Sequence, residues 1–184
     1  MKTMIRAAVA ALSISAAALA AEKEAVMTQL TLSSPSFRNN QPMPAKHSCE
    51  GADASPALKW EGAPPATKSF ALICDDPDAP GGSWVHWVLY GIGGSKIELP
   101  ENVAKTESVA ALGNAKQGVT DFGRVGYGGP CPPRGHGVHH YHFRLYALDT
   151  DLNLSARATR RQLEAMMHGH ILAQAELVGK YQRD

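Results

Sequence analysis

Glycine and proline recur through most of this chain, and their density limits the length of any regular element. The sequence contains 17 glycines and 12 prolines, and short apolar runs separate them between residues 30 and 147. Short runs bounded by turn-forming residues are typical of β-strands. We therefore predict a mainly β protein. The predicted strands are 29–33, 57–61, 69–75, 84–92, 139–149 and 171–177.

One helix is predicted, near the C-terminus, over residues 160–168. Thr159 and Gln162 have the spacing of a capping box, and Gly169 follows as a stop signal. An apolar stripe lies between them and is formed by Leu163, Met166 and Met167. This spacing indicates a helix face that packs on the core rather than one that binds a cofactor.

The first 20 residues resemble a secretory signal peptide. Lys2 and Arg6 precede an alanine-rich apolar run, which ends at Ala20 with small residues suited to cleavage. A membrane-spanning helix needs roughly 20 apolar residues, so a retained anchor is the less favoured alternative. We expect residues 21–184 to form one domain that is periplasmic or secreted, without stable insertion into the membrane.

The charge of the exported part argues against some partners. Cleavage would remove Lys2, Arg6 and no acidic residue, which changes the net charge from +1 to −1. A nearly neutral chain without long basic runs is not typical of nucleic-acid-binding proteins. Any affinity for an anion must therefore come from local geometry.

The three cysteines predict one disulfide bond and one free thiol. Cys74 follows an apolar run, where a buried thiol is expected. Cys49 and Cys131 lie in segments that contain glycine and proline, and export to an oxidising compartment favours disulfides. We favour a Cys49–Cys131 bond, although the sequence alone does not fix the connectivity.

Acidic residues follow the predicted strand 69–75 at its end. Pro77 lies between Asp76 and Asp78, and proline cannot donate a hydrogen bond to a neighbouring strand. The carboxylates therefore fall where a strand passes into a rigid loop, which is a favourable place for a binding site. A solvated acidic turn remains the alternative.

The predicted strand 84–92 has no polar face, which is expected of a strand that is buried on both sides. His86 is its only imidazole, and a buried histidine needs a hydrogen-bond partner or loses its charge. A histidine in the core and a histidine in a pocket both fit this position.

Residues 127–143 concentrate unusual side chains, with the sequence YGGPCPPRGHGVHHYHF. A strand has a period of two residues, so His139 and Tyr141 share the face of the apolar Phe143. His140 and His142 then share the opposite face. The strand thus divides the histidines instead of bringing them together.

Three interpretations of this segment differ in the chemistry that they require. A metal site lacks a complete set of ligands, because the histidines are divided and no HExxH or CxxC motif is present. A cysteine nucleophile requires a free Cys131, which a bond to Cys49 would remove. A rigid loop that holds an anion fits best. In that interpretation glycines 128, 129, 135 and 137 allow close approach, prolines 130, 132 and 133 stiffen the loop, and backbone N–H groups contact the ligand.

Several separated motifs resemble the phosphatidylethanolamine-binding protein family, also called the Raf kinase inhibitor-like family. They are DPDAP at 76–80, WVHW at 84–87, GPCPPRG at 129–135 and GVHHY at 137–141. The segments SPALKW at 55–60, GHILA at 169–173 and LVGKY at 177–181 resemble the bacterial YbhB/YbcL-type branch.

This resemblance implies a β-sandwich with a large central antiparallel sheet and one or two short helices near the C-terminus. It also implies a surface pocket that takes small anions or phosphorylated head groups, without a cofactor, a metal or catalysis. The residues that match the family's pocket are Asp76, Pro77, His86, Gly129, Pro130, Pro132, His139 and Tyr141.

Two further expectations concern the oligomeric state and the charge of His86. Bacterial members of this family suggest a homodimer, and we expect Asp76 to set the protonation state of His86. The alternative to ligand binding is an interaction or inhibitor module, directed at a protease or a kinase, in which the pocket has no role. A hydrolase that uses Cys131 is the remaining alternative.

Overall fold

Two β-sheets packed face to face make up the computed structural model, which describes residues 29–184. The smaller sheet has the strand order β1-β3-β6, and the larger has the order β2-β10-β9-β4-β5-β8-β7. The strands are β1 (Thr31–Ser33), β2 (Gln41–Pro42), β3 (Leu58–Glu61), β4 (Ser69–Asp76), β5 (Trp84–Gly93), β6 (Glu98–Leu99), β7 (Ser108–Val109), β8 (Ala115–Gln117), β9 (His139–Leu148) and β10 (Ile171–Tyr181). The predicted signal peptide lies outside the described residues.

The large sheet is buried on both faces, which explains the continuous apolar runs in its central strands. Every residue of β4 is buried, and β4 lies between β5 and β9. Phe70 on one face packs against Trp60 of the small sheet, with ring centroids 5.2 Å apart. Ile73 on the opposite face belongs to a second core cluster together with Leu163 of the helix. The predicted β-sandwich is confirmed.

The helix α1 spans Arg160–Met167 and begins as predicted. The Thr159 side chain accepts a hydrogen bond from the Gln162 backbone, and the Gln162 side chain accepts one from Thr159. His168 ends the helix, and Gly169 follows with a φ of 81°. The buried residues of α1, Leu163 and Met167, pack against the large sheet in the second core cluster. Two short 3-10 helices, at Ala45–His47 and Ala110–Leu112, were not predicted.

The large sheet is antiparallel, as expected, except at one edge, where a parallel strand makes it mixed. Strand β2 runs parallel to β10, with Gln41 opposite Gly179 and Pro42 opposite Lys180. The Asn39 side chain and the Asn40 backbone hold this edge through hydrogen bonds to Val178. A two-residue strand has no periodicity to detect, which is also why β6 and β7 escaped prediction, and β8, with three residues, is hardly longer.

The predicted disulfide between Cys49 and Cys131 is present, and it joins positions separated by 82 residues. It fixes the glycine- and proline-rich segment to the loop that follows the first 3-10 helix. Cys74 is buried and free, and burial raises its pKa well above the ordinary value. No helix within residues 29–184 has the length and apolar character needed to cross a membrane.

Candidate functional site

A cavity of about 220 Å³ lies at one end of the central strands of the large sheet. Strands β4, β5 and β9 contribute its polar floor, and the loops around them form its walls. The lining residues are Asp76, Ala79, Pro80, Trp84, His86, Phe122, Cys131, Pro132, Pro133, His139 and Tyr141. Five of the eight predicted site residues are therefore brought together: Asp76, His86, Pro132, His139 and Tyr141.

A larger groove of about 480 Å³ lies between β1 and β10 and is a weaker candidate. It is lined by no histidine, cysteine or tyrosine. Its two charged residues, Arg144 and Glu176, form an ion pair with each other at 2.9 Å. The cavity of about 220 Å³, in contrast, is lined by the buried titratable side chains of Asp76, His86 and His139. We refer to it below as the pocket.

Asp76 and His139 form the base of the pocket. The Oδ2 atom of Asp76 lies 2.7 Å from Nδ1 of His139, and both side chains are less than 5% exposed, at 4% and 2%. The two residues come from adjacent strands, β4 and β9. Asp76 is further held by the backbone N–H of Asp78, which donates to its Oδ1 atom at 2.9 Å. The carboxylate therefore fixes the imidazole so that its Nε2 atom is the one left for other contacts.

His136, for which sequence analysis found no role, makes that contact. Its Nδ1 atom lies 2.7 Å from Nε2 of His139, so that Asp76, His139 and His136 form a continuous hydrogen-bonded chain. His136 itself is exposed. An exposed loop residue carries no periodic signal, and only its position between Gly135 and Gly137 set it apart.

A β-bulge directs His86 into the pocket. Cys74 pairs with Trp87 while the next residue, Asp75, pairs with Val85, so His86 is the extra residue on β5. Bulges near functional sites commonly redirect a side chain in this way. Gly128 fixes the bulge, because its N–H donates to the His86 carbonyl at 2.9 Å while its own carbonyl accepts from His86 Nδ1 at 2.6 Å.

The environment of His86 favours the neutral imidazole. Burial lowers its pKa, whereas the Gly128 carbonyl and then Asp76 act in the opposite direction. The ring also contacts Tyr141 and Phe122 edge to face, with centroids 5.0 Å and 5.2 Å away. Asp76 was expected to set the protonation state of His86; its carboxylate bonds to His139 and raises the His86 pKa only from a distance, while burial has the largest effect.

Tyr141 presents a hydroxyl group without a partner. The side chain is 1% exposed, and its oxygen makes no hydrogen bond of normal geometry within residues 29–184, although the Asp76 carboxylate is near enough to act on it. Burial, followed by the nearby Asp76 carboxylate, raises its pKa far above the ordinary value, so the group stays a phenol. A buried polar group without a partner is unfavourable, which indicates that a ligand or water completes it.

The glycine–proline loop shapes the pocket, but its N–H groups are already used. Gly129 donates to Asp53 at 2.6 Å, Gly128 donates to His86, and Gly135 donates to Arg183. The predicted cradle of backbone N–H groups is therefore wrong at these glycines. Gly129 and Pro130 lie outside the lining, and the loop contributes Cys131, Pro132 and Pro133 to the walls.

Gly129 has a packing role instead. A Cβ atom at this position would lie 2.3 Å from the His47 carbonyl oxygen, which is far inside contact distance. The carbonyl of Pro130 accepts a hydrogen bond from Cys49 at 3.0 Å. These contacts hold the loop tightly against the segment that contains the other half of the disulfide.

Pro77 also lies outside the lining and separates two acidic residues that behave differently. Asp76 enters the pocket, whereas Asp78 accepts from the backbone and from Nδ1 of His140, both at 2.8 Å. The pKa of Asp78 is lowered because these hydrogen bonds outweigh the opposing effect of partial burial.

The alternation predicted for β9 is confirmed. His139 and Tyr141 are buried, while His140 and His142 lie on the opposite face and pair with Asp78 and Glu176. Over the described residues, no group of three or more His, Cys, Asp or Glu side chains has an arrangement that could hold a metal ion.

Aromatic side chains surround the mouth of the pocket. Trp84 and Phe122 are 38% and 37% exposed and contact each other edge to face at 5.6 Å. The Arg124 guanidinium lies over the Phe122 ring at 5.4 Å. The predicted set did not include Phe122, because it lies in a short loop without a recognisable motif.

A cluster of ion pairs lies on the opposite face of β4, directly behind the pocket. Asp75 is 4% exposed and contacts Arg144, and it lies 2.8 Å from Arg160 of α1. Ser83 donates to the same carboxylate at 2.7 Å. The loop between β4 and β5, which supplies Ala79 and Pro80 to the pocket, is thus fixed to the helix and to β9.

Known proteins resemble this chain over most of its length. The family model for phosphatidylethanolamine-binding proteins matches residues 33–182. A UPF0098 protein of Pyrococcus horikoshii is 52% identical over 147 residues, which cover 80% of this chain and 74% of that protein. A UPF0098 protein of Aquifex aeolicus is 51% identical over 150 residues, covering 81% and 86% respectively.

Solved structures agree with the sequence matches. The crystal structure of Escherichia coli YbcL, described as a member of the mammalian PEBP family, superposes with a TM-score of 0.79 and 32% identity, covering 85% of this chain and 99% of that one. A phosphatidylethanolamine-binding protein homologue from Chlamydia trachomatis superposes with a TM-score of 0.77 and 37% identity, again covering 85% and 99%. In sequence, fold and extent of the match, the chain is a member of the phosphatidylethanolamine-binding protein family.

Proposed function

We propose that this protein binds a small anion or a phosphorylated head group in the pocket and is not an enzyme. The observation that carries the proposal is the buried Tyr141 hydroxyl, which faces a cavity shared with two histidines and has no partner among the described residues. An oxyanion would complete this hydroxyl and accept from the imidazoles at the same time.

Each polar group has a distinct task in this proposal. Tyr141 donates its hydroxyl hydrogen, and its raised pKa keeps that hydrogen in place. Asp76 accepts from Nδ1 of His139, which leaves Nε2 of His139 for the ligand; this atom donates to an anion only when the ring carries a second hydrogen. The Gly128 carbonyl holds Nδ1 of His86, which leaves Nε2 of that ring for the ligand.

Ligand binding is expected to take up a proton. His86 is disposed to be neutral in the free protein, and a neutral ring that donates through Nδ1 has no hydrogen on Nε2. Donation to an anion requires the imidazolium, which the negative charge of the ligand stabilises. Affinity is therefore expected to increase as pH falls from about 8 to 6.

Isothermal titration calorimetry with inorganic phosphate and with phosphoethanolamine tests the proposal. We expect saturable binding to the wild type that strengthens at lower pH, and loss of binding in the double variant His86→Ala, His139→Ala. His170→Ala is a matched control, because His170 is an exposed histidine that pairs with Asp149 away from the pocket. Unchanged affinity in the double variant would refute the site.

The absence of catalysis is part of the proposal, and the cysteines support it. Cys131 is bonded to Cys49, and burial raises the pKa of Cys74, so neither thiol is disposed to act as a nucleophile. Turnover of p-nitrophenyl phosphate or p-nitrophenyl acetate that disappears in the double variant would contradict this part of the proposal.

We also propose that the protein is exported as residues 21–184. The charged and apolar pattern of residues 1–20 and the Cys49–Cys131 bond support an oxidising compartment. Cell fractionation followed by N-terminal sequencing is expected to find the mature protein in the periplasm or medium, beginning near Ala21. A cytoplasmic protein with an intact N-terminus would contradict it.

A protein-interaction role is a second candidate, favoured by the exposed aromatic pair Trp84 and Phe122 at the mouth of the pocket. Such a role predicts that a partner bound by the wild type is lost in Trp84→Ala but retained in the double histidine variant. Ligand binding alone predicts no such partner.

A further inference from the structure

His136 is linked to the pocket by its hydrogen bond to His139. Its Nδ1 atom lies 2.7 Å from Nε2 of His139, and the two rings are tilted with centroids 5.0 Å apart. The other ring nitrogen of His139 is held by Asp76 at 2.7 Å. His136 therefore occupies the only ring nitrogen of His139 that an anion in the pocket can use.

The backbone around His136 permits the ring to leave. His136 lies between Gly135 and Gly137, whose φ angles of 71° and 93° fall in the region that glycine adopts without strain. Neither glycine has other atoms close to the position of a Cβ, so the backbone here is not wedged by packing. The His136 side chain is exposed, and its departure would return it to water rather than leave a buried polar group.

The two histidines differ in what they lose when the contact breaks. His139 is 1% exposed, so its Nε2 atom needs a replacement partner inside the protein. His136 is exposed, so water can form hydrogen bonds with its ring once the contact with His139 is broken. Because Nδ1–H of His139 donates to Asp76, an anion can replace His136 when Nε2 of His139 carries a hydrogen; the anion then accepts from it, and the contact is exchanged rather than lost.

We propose that His136 is a displaceable gate that competes with the anionic ligand for Nε2 of His139 and thereby lowers the affinity of the pocket. This inference rests on the proposed function, because it assigns a regulator to the same site. The gate makes affinity depend on a residue that does not contact the ligand in the bound state.

The contact can be tested without any ligand. In ¹⁵N-labelled protein, the imidazole nitrogens of His139 report their hydrogen-bond partners in long-range ¹H–¹⁵N spectra. Replacement of His136 by alanine is expected to shift the Nε2 resonance of His139 and to leave that of Nδ1, held by Asp76, nearly unchanged. His170→Ala should shift neither. An unchanged Nε2 resonance in His136→Ala would overturn the proposal, whatever the protein binds.

The competition is tested by calorimetric titration with inorganic phosphate. His136→Ala is expected to bind phosphate roughly three- to tenfold more tightly than the wild type, which corresponds to the net strength of one hydrogen bond. Circular dichroism should match the wild type, whereas the melting temperature without ligand should fall slightly, because Nε2 of the buried His139 loses its partner.

The possible outcomes separate the gate from the proposed function. Equal affinity in both proteins would refute the gate alone. Weaker binding in His136→Ala would also refute it and would make His136 a direct ligand contact. Absence of phosphate binding in both proteins, with a normal His136–His139 contact, would refute the proposed function and the gate together.

Discussion

The carboxylate of Asp76 and the imidazole of His139 are hydrogen-bonded at 2.7 Å although they lie 63 residues apart in the chain. Both side chains are almost fully buried, at 4% and 2% exposed. Removal of one member of a buried pair leaves the other without its partner, which is more costly than the loss of the same pair at the surface.

We expect Asp76→Asn to lower the free energy of unfolding by roughly 1–3 kcal/mol, because His139 loses a charged partner in a buried place. Asp78→Asn is the matched control, since the Asp78–His140 pair is 41% and 37% exposed. Its effect should stay below about 1 kcal/mol. Urea denaturation at pH 7 measures both, and equal effects would contradict the assigned burial.

Tyr141→Phe should separate binding from stability. The hydroxyl has no partner among residues 29–184, so its removal is expected to leave the unfolding free energy unchanged or slightly higher. Phosphate affinity should fall by roughly three- to tenfold, the value of one hydrogen bond.

Tyr127→Phe is expected to affect stability and not binding, which is the reverse of Tyr141→Phe. The Tyr127 hydroxyl is buried and donates to the His47 carbonyl at 2.8 Å. Its removal should reduce the free energy of unfolding by about 1 kcal/mol and leave phosphate affinity unchanged. Calorimetry and urea denaturation of both variants test the contrast, and a loss of stability in Tyr141→Phe would contradict it.

Stability is expected to fall in mildly acidic solution, in part because of His86. Burial holds its pKa below the ordinary value of 6.5. Between the folded and the unfolded pKa values the unfolded chain binds the extra proton, so the unfolding free energy decreases as pH drops below that ordinary value. Buried His47 has a lowered pKa as well and acts in the same direction.

His86→Gln should reduce the slope of stability against pH between about 7 and 5, because glutamine does not titrate in this range. His170→Gln is the control and should leave the slope unchanged. Urea denaturation at several pH values provides the measurement. An identical slope in wild type and His86→Gln would show that His86 is not held neutral.

Reduction of the disulfide should destabilise the protein by about 4 kcal/mol, because the bond closes a long loop. The two cysteines are separated by 82 residues. Phosphate affinity should fall as well, since Cys131 and Pro132 line the pocket. The double variant Cys49→Ala, Cys131→Ala should behave like the reduced wild type and should not respond to reductant; a further response would implicate another group.

Gly129→Ala should be strongly unfavourable, by roughly 2 kcal/mol or more, because backbone atoms cannot make room for the added methyl group. Its Cβ would lie 2.3 Å from the His47 carbonyl oxygen, whereas a Cβ at Gly81 would meet nothing within 4 Å. Gly81→Ala should therefore be nearly neutral. Thermal unfolding of both variants tests this, and similar melting temperatures would contradict it.

Sequence analysis predicted the features that depend on regular local patterns. Strand β5 is buried on both faces over most of its length, as its apolar run indicated, and the period of two in β9 correctly placed His139 and Tyr141 inside. The capping box identified the start of the helix. Each of these signals is contained in a few consecutive residues.

Features that depend on contacts between distant segments were missed or wrong. The N–H of Gly129 was expected to face a ligand, but Asp53, 76 positions earlier, accepts it. The bulge at His86 depends on its pairing with β4, which local periodicity cannot indicate. His136 had no assignable role until the fold placed His139 beside it.

Neighbouring carboxylates at the end of β4 have separate tasks because a strand directs successive side chains to opposite faces. Asp76 serves the pocket, while Asp75 joins α1 and β9 through Arg160 and Arg144. A change at position 76 therefore acts on the pocket and on the buried pair with His139, while the ion pairs of Asp75 with α1 and β9 stay in place. Substitutions on the pocket face of this strand thus leave untouched the carboxylate that joins the sheet to the helix on its other face.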